Sequence, residues 1–167
     1  GGTAINNQPI FPNLDLTQYE TLLLEAQLSL GTYDNKALNF DGNNDYVKIE
    51  NSADINTGNN HTQKTVEAWF KVDNKDITSK KQVVYEQGGT VRGLNIYIYG
   101  GSLYVGGWNE AESQWNPGTW LSTNNIESNT WHHVALTLNG GSTVTSNAFK
   151  GYLNGVQFGV GQGSKLW

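Results

Sequence analysis

The 167-residue sequence predicts an all-β fold made of antiparallel strands. Three observations carry that expectation. Apolar and polar residues alternate with a period of two in run after run, the side-chain repeat of a strand and not of a helix. Gly100-Gly101 and Asn154-Gly155 stand between such runs, where a type I′ hairpin turn needs two left-handed backbone positions. The composition, with 20 glycines, 6 tryptophans, 37% hydrophobic and only 15% charged residues, is that of a turn-rich chain kept soluble by Asn, Gln, Ser and Thr.

Taken in order, residues 1–13 contain Asn6-Asn7-Gln8-Pro9 and Pro12-Asn13, which break regular structure and read as a linker or edge segment. One helix is expected over residues 15–30. Thr17 and Glu20 have capping-box spacing, Tyr19, Leu22, Leu23 and Ala26 share a face, and Gly31 ends it. The expected organisation is thus an N-terminal segment of residues 1–36 followed by one domain over residues 37–167. A chain of this length suits a single core, which serves about 100–200 residues.

Residues 37–49 read as two short alternating strands around the polar turn Asp41-Gly42-Asn43-Asn44-Asp45. Asp41, Asn43 and Asp45 alternate oxygen-bearing side chains as hard-cation loops do, but an EF-hand's full spacing and final Glu are missing, so a plain turn and a calcium-assisted one both fit. Asn60-His61-Thr62 matches a glycosylation acceptor, a pattern frequent by chance, and His61 is expected to be a solvated loop residue. Residues 65–72 alternate cleanly, with Val66, Ala68, Phe70 and Val72 on one face and Glu67, Trp69 and Lys71 on the other. That pattern favours antiparallel pairing with one face packed.

Residues 82–89 form the next run, and residues 94–108 the clearest hairpin. Leu94, Ile96 and Ile98 face one way; Tyr97 and Tyr99 face the other, as cross-strand packing or as a ligand-facing surface. The last runs are Thr130 to Leu138 and Phe149 to Phe158, the second folded at Asn154-Gly155.

The formal charge of −5 and a pI near 5.0 argue against a nucleic-acid partner, which needs clustered Lys and Arg. The absence of cysteine excludes disulfides, thiolate zinc sites and a Cys nucleophile. No apolar run approaches the ~20 residues that span a bilayer, so no membrane insertion is expected. Gly1-Gly2-Thr3-Ala4 lacks the basic and apolar regions of a signal peptide, so an exported protein would be represented here by a mature or excised part.

Between residues 108 and 125, Trp108, Trp115 and Trp120 stand among Asn109, Glu110, Glu112, Gln114, Asn116 and Asn124 in what reads as a Gly- and Pro-containing loop. Indoles offer apolar area to a sugar face while amides and carboxylates take its hydroxyls. Trp108, Asn109, Glu110, Gln114, Trp115 and Trp120 are therefore the ligand-binding candidates; the competing reading places two of the tryptophans in the core. Glu110 and Glu112 would share a strand face, but the Glu-x-Asp-x-x-Glu pattern of β-glucanases on lectin-like sandwiches is absent, so an enzyme is not expected. His132 and His133, being adjacent, point to opposite strand faces and cannot chelate one metal together.

Several of these runs resemble the laminin-G-like, concanavalin A-like jelly-roll domains of extracellular proteins. The resemblance rests on Ala37 to Gly42 with Asp45-Tyr46-Val47, Thr65 to Phe70, Gly93 to Ile96, Trp131 to Thr137, and Gly151 to Gly155, in the family's order over residues 37–160. It implies an antiparallel β-sandwich and a non-catalytic, lectin-like recognition module of a multidomain adhesion protein, extracellular or at the cell surface. It implies a glycan or a cell-surface protein as partner. It also implies Ca2+ at the rim, with Asp41 and Asp45 carried over and Asn43 between them. Finally, it implies one more strand after the hairpin. The sequence given runs only to Trp167, so that strand is either lacking or replaced by residues 1–13.

Overall fold

A computed structural model describes residues 37–111 and 114–166. The chain divides into two compact units, Gly1–Tyr46 and Val47–Trp167. In the second unit eight strands follow one another: β1 (Gln63–Phe70), β2 (Gln82–Gly88), β3 (Arg92–Tyr99), β4 (Ser102–Asn109), β5 (Trp115–Thr123), β6 (His132–Asn139), β7 (Thr145–Leu153) and β8 (Val156–Gly163). They form two four-stranded antiparallel sheets, ordered β1-β6-β7-β8 and β2-β3-β4-β5. This is the all-β sandwich the alternation predicts.

The inward half of each alternation builds the core. Leu94, Ile96, Ile98, Leu103, Val105 and Trp115 come from one sheet and Phe70, Val134, Leu136, Phe149 and Leu153 from the other. Trp115 is fully buried and meets Phe149 edge to face, with ring centroids 5.5 Å apart. Its indole N–H donates to Thr119 Oγ1 at 3.0 Å, and that hydroxyl donates to the Gln162 carbonyl at 2.7 Å, so one short relay ties β5 to β8. A buried indole needs such an acceptor, since an unmet donor costs about 1–3 kcal/mol.

The turns follow the sequence. Gly100 and Gly101 have φ of 54° and 84°, and Asn154 and Gly155 have φ of 50° and 79°, the left-handed pairs of type I′ turns. Asn154 also accepts the His133 N–H on Oδ1 at 2.9 Å, pinning the β7-β8 turn to β6.

Four expectations change or fall elsewhere. The helix expected over residues 15–30 lies outside the described residues. Residues 37–49 form no strand, and Leu38, Phe40, Tyr46, Val47 and Ile49 are exposed. Alternation shows that a segment can lie on a sheet, but a strand also needs a neighbouring backbone hydrogen-bonded to it. The loop expected between residues 108 and 125 is mostly strand: β5 occupies Trp115–Thr123. It is an edge strand, the position where a residue such as Pro117 is tolerated. His61 is not a solvated loop residue. It exchanges both backbone hydrogen bonds with Leu166, at 2.7 and 2.9 Å, and its ring Nε2 is buried.

Candidate functional site

The outer face of the β2-β3-β4-β5 sheet is built by the other half of the same alternation. One cross-strand row crosses all four strands. Glu86 of β2 lies opposite Asn95 of β3, Asn95 opposite Gly106 of β4, and Gly106 opposite Trp120 of β5. One row away on one side, Gly88 faces Gly93, which faces Trp108; on the other, Val83 faces Tyr97, which faces Tyr104, followed by Ser122.

Two indoles dominate this surface. Trp108 and Trp120 are parallel to within 11°, with ring centroids 6.0 Å apart, and Trp120 remains 44% exposed. They lie against the sheet because glycines stand beneath them. A β-carbon on Gly106 would come within 2.5 Å of Trp120 Nε1 and closer still to Asn95 Oδ1; one on Gly93 would come within 2.6 Å of the Trp108 ring. Trp108 is further fixed by its indole N–H, which donates to the Gly89 carbonyl at 2.9 Å. The glycines thus set the floor, and each indole leans over the strand next to its own.

Polar groups flank the rings. Glu86 is exposed. Asn95 Oδ1, above Gly106, is buried and has no hydrogen-bond partner within the protein. Beyond them Tyr97 and Tyr104 stack at 4.9 Å and 8°, with Lys81 Nζ 4.5 Å from the Tyr97 ring centre. Burial, and then the neighbouring Tyr104, raise the Tyr97 phenol above its ordinary pKa, so it stays protonated as a hydroxyl. Parallel aromatic faces beside an exposed carboxylate can hold a ring that is apolar on its face and hydroxylated at its rim.

Of the residues singled out from the sequence, Trp108 and Trp120 are brought together. Trp115 is not with them; it faces the core, because it lies five positions before Trp120 and an odd offset on a strand reverses the face. Asn109 is buried too, its Nδ2 donating to the Lys165 carbonyl at 2.6 Å, which fastens the segment after β8. Glu110 is exposed in the turn after β4, its N–H donating to the Val91 carbonyl at 2.9 Å. Gln114 is exposed just before β5, with φ of 56°. Glu112 lies outside the described residues. Sequence reasoning missed Asn95 and Glu86, whose signal was their strand parity with Tyr97 and, across the sheet, with Trp108 and Trp120.

Asp41, Asn43 and Asp45 are linked by hydrogen bonds within one turn. Asp45 Oδ2 accepts the Asp41 N–H, and Asp41 Oδ1 accepts the Asn43 N–H, both at 2.8 Å. Two carboxylates and an amide supply part of the roughly six to eight oxygen ligands calcium takes, the rest being the place of backbone carbonyls and water. Among the described residues no group of three or more His, Asp or Glu side chains supplements them.

On the opposite sheet, His132 points inward and accepts the Glu127 N–H on Nε2 at 2.9 Å, whereas His133 points outward under Trp69, ring centroids 5.2 Å apart. The two histidines serve different faces. No helix among the described residues is long and apolar enough to cross a membrane.

No curated protein matches the chain at a significant level. A family model described as the concanavalin A-like lectin/glucanases superfamily matches residues 41–167, a span that contains all eight strands and both sheet faces. By that match the chain belongs to the concanavalin A-like lectin/glucanases superfamily.

Proposed function

We propose that this domain is a non-catalytic glycan-binding module of an extracellular or cell-surface adhesion protein, and that it binds on the outer face of the β2-β3-β4-β5 sheet. The observation that carries this reading is the parallel, glycine-floored pair Trp108 and Trp120, with Asn95 and Glu86 in the same cross-strand row. A pyranose laid on an indole covers its C–H face and turns its hydroxyls sideways, toward those polar groups. Glycoside hydrolysis ordinarily takes two carboxyl groups about 5–9.5 Å apart. Glu86 is the one acidic residue in the four strands of this face, which supports binding without turnover.

The test is retention on immobilised or gel-embedded polysaccharides. Trp108→Ala and Trp120→Ala should each weaken binding by about tenfold or more, near 1.4 kcal/mol, with the far-ultraviolet spectrum unchanged. Retention equal to wild type in both variants would remove the site.

A second reading, a protein-interaction domain, is favoured by one observation. Trp69 is 68% exposed and Trp131 48% exposed at one end of β1 and β6, with Lys71 Nζ 5.7 Å from the Trp131 ring centre. Exposed tryptophans are enriched at contact hot spots.

A further inference from the structure

Resting on the glycan reading of the Trp108 and Trp120 face, we infer that its ligand is an uncharged glycan, recognised through hydroxyl donors, and not a sulfated or uronic-acid polysaccharide. The cross-strand row beneath the sugar position holds one charge, the exposed carboxylate of Glu86, and no cation. Beside it Asn95 adds an uncharged amide to the row. A ligand hydroxyl supplies the hydrogen that the exposed Glu86 carboxylate accepts; a sulfate or carboxylate has none to give and meets Glu86 as a like charge.

Of the basic side chains nearest in register, one is already engaged with an aromatic ring of this face and the other lies on the opposite face. Lys81 lies over the Tyr97 ring, two residues along β3 from Asn95. Arg92, the sole arginine of the chain, is adjacent to Gly93, so strand alternation sends it to the opposite face from Trp108. Bidentate capture of sulfate or carboxylate is the task for which guanidinium groups are suited, and this face has none in its strands. The whole-chain charge of −5 adds a long-range penalty for a polyanion.

The experiment is affinity electrophoresis of the wild-type chain through gels containing neutral β-glucan, mannan or galactan, and through gels containing heparin or polygalacturonate. Each gel is run at roughly 50 and 500 mM salt, which moves the screening length from about 14 to about 4 Å. The expected result is retardation by at least one neutral polysaccharide, changing less than about twofold with salt, and none by either polyanion. Glu86→Lys should weaken the neutral interaction and create salt-sensitive retardation by a polyanion. Wild-type retardation by heparin or polygalacturonate that disappears at high salt would overturn the inference while leaving the glycan reading intact. Retardation by no polysaccharide of either kind would overturn the glycan reading and the inference with it.

Discussion

Trp115 and Trp120 show how much a single step of strand parity decides. They are five residues apart on one strand, and one is a core anchor while the other lies open on the outer face. Their chemistry is the same, so residue type alone could not separate them; the face could, once the segment is seen as a strand. His61 makes a similar point about burial. Its ring Nε2 is buried and without a partner, so desolvation, and then the nearby Lys64, lower its pKa below 6.5, against weaker opposing effects of the Thr57 backbone and Asp54. The neutral ring is therefore the form the fold prefers. In the unfolded chain it takes up a proton first as pH falls, so its share of stability is complete above about pH 6.5 and declines as pH drops toward the lowered folded value. Denaturant titrations from about pH 7 to 5 should show that decline, and His61→Gln should flatten it. An identical slope in the variant would mean that other groups carry it.

At the level of elements, strands and hairpins were the most legible part of the sequence. The period of two located β1, β3, β4 and β6 to within two or three residues, and Gly100-Gly101 and Asn154-Gly155 fixed two turns. The turn chemistry can be checked cleanly at Gly155, where φ is 79° and a β-carbon would meet nothing within 4 Å. Gly155→Ala should cost about 1–2 kcal/mol from backbone strain alone, read by denaturant unfolding. A neutral substitution would show that the turn relaxes.

β5 was not legible, because Asn116-Pro117-Gly118 carries turn residues inside a strand. An edge strand pairs on one side only and so admits them. Residues 37–49 failed in the opposite direction. Leu38, Phe40, Tyr46, Val47 and Ile49 have the alternation of a strand, yet residues 37–49 take up no strand, because alternation alone supplies no hydrogen-bonded neighbour. The candidate site was half visible for the same reason. Trp108 and Trp120 could be named from composition, whereas Asn95 and Glu86 join them only through register, which brings together residues far apart in the chain.

At the scale of the eight-stranded unit, the two sheets turn different surfaces outward. One bears Trp108 and Trp120 on glycines beside Asn95 and Glu86; the other bears Trp69 and His133, with Trp131 at its end. The tryptophans themselves are therefore the reporters that distinguish a glycan platform from a protein contact. The most direct measurement is a titration of 15N-labelled protein with a soluble neutral oligosaccharide cut from a retained polysaccharide, following the indole N–H resonances assigned by single substitution. A glycan platform on the Trp108 and Trp120 face predicts that these two indoles shift in a saturable way while Trp69, Trp131 and the buried Trp115 stay in place. Saturable shifts at Trp69 and Trp131 with Trp108 and Trp120 unmoved would contradict it.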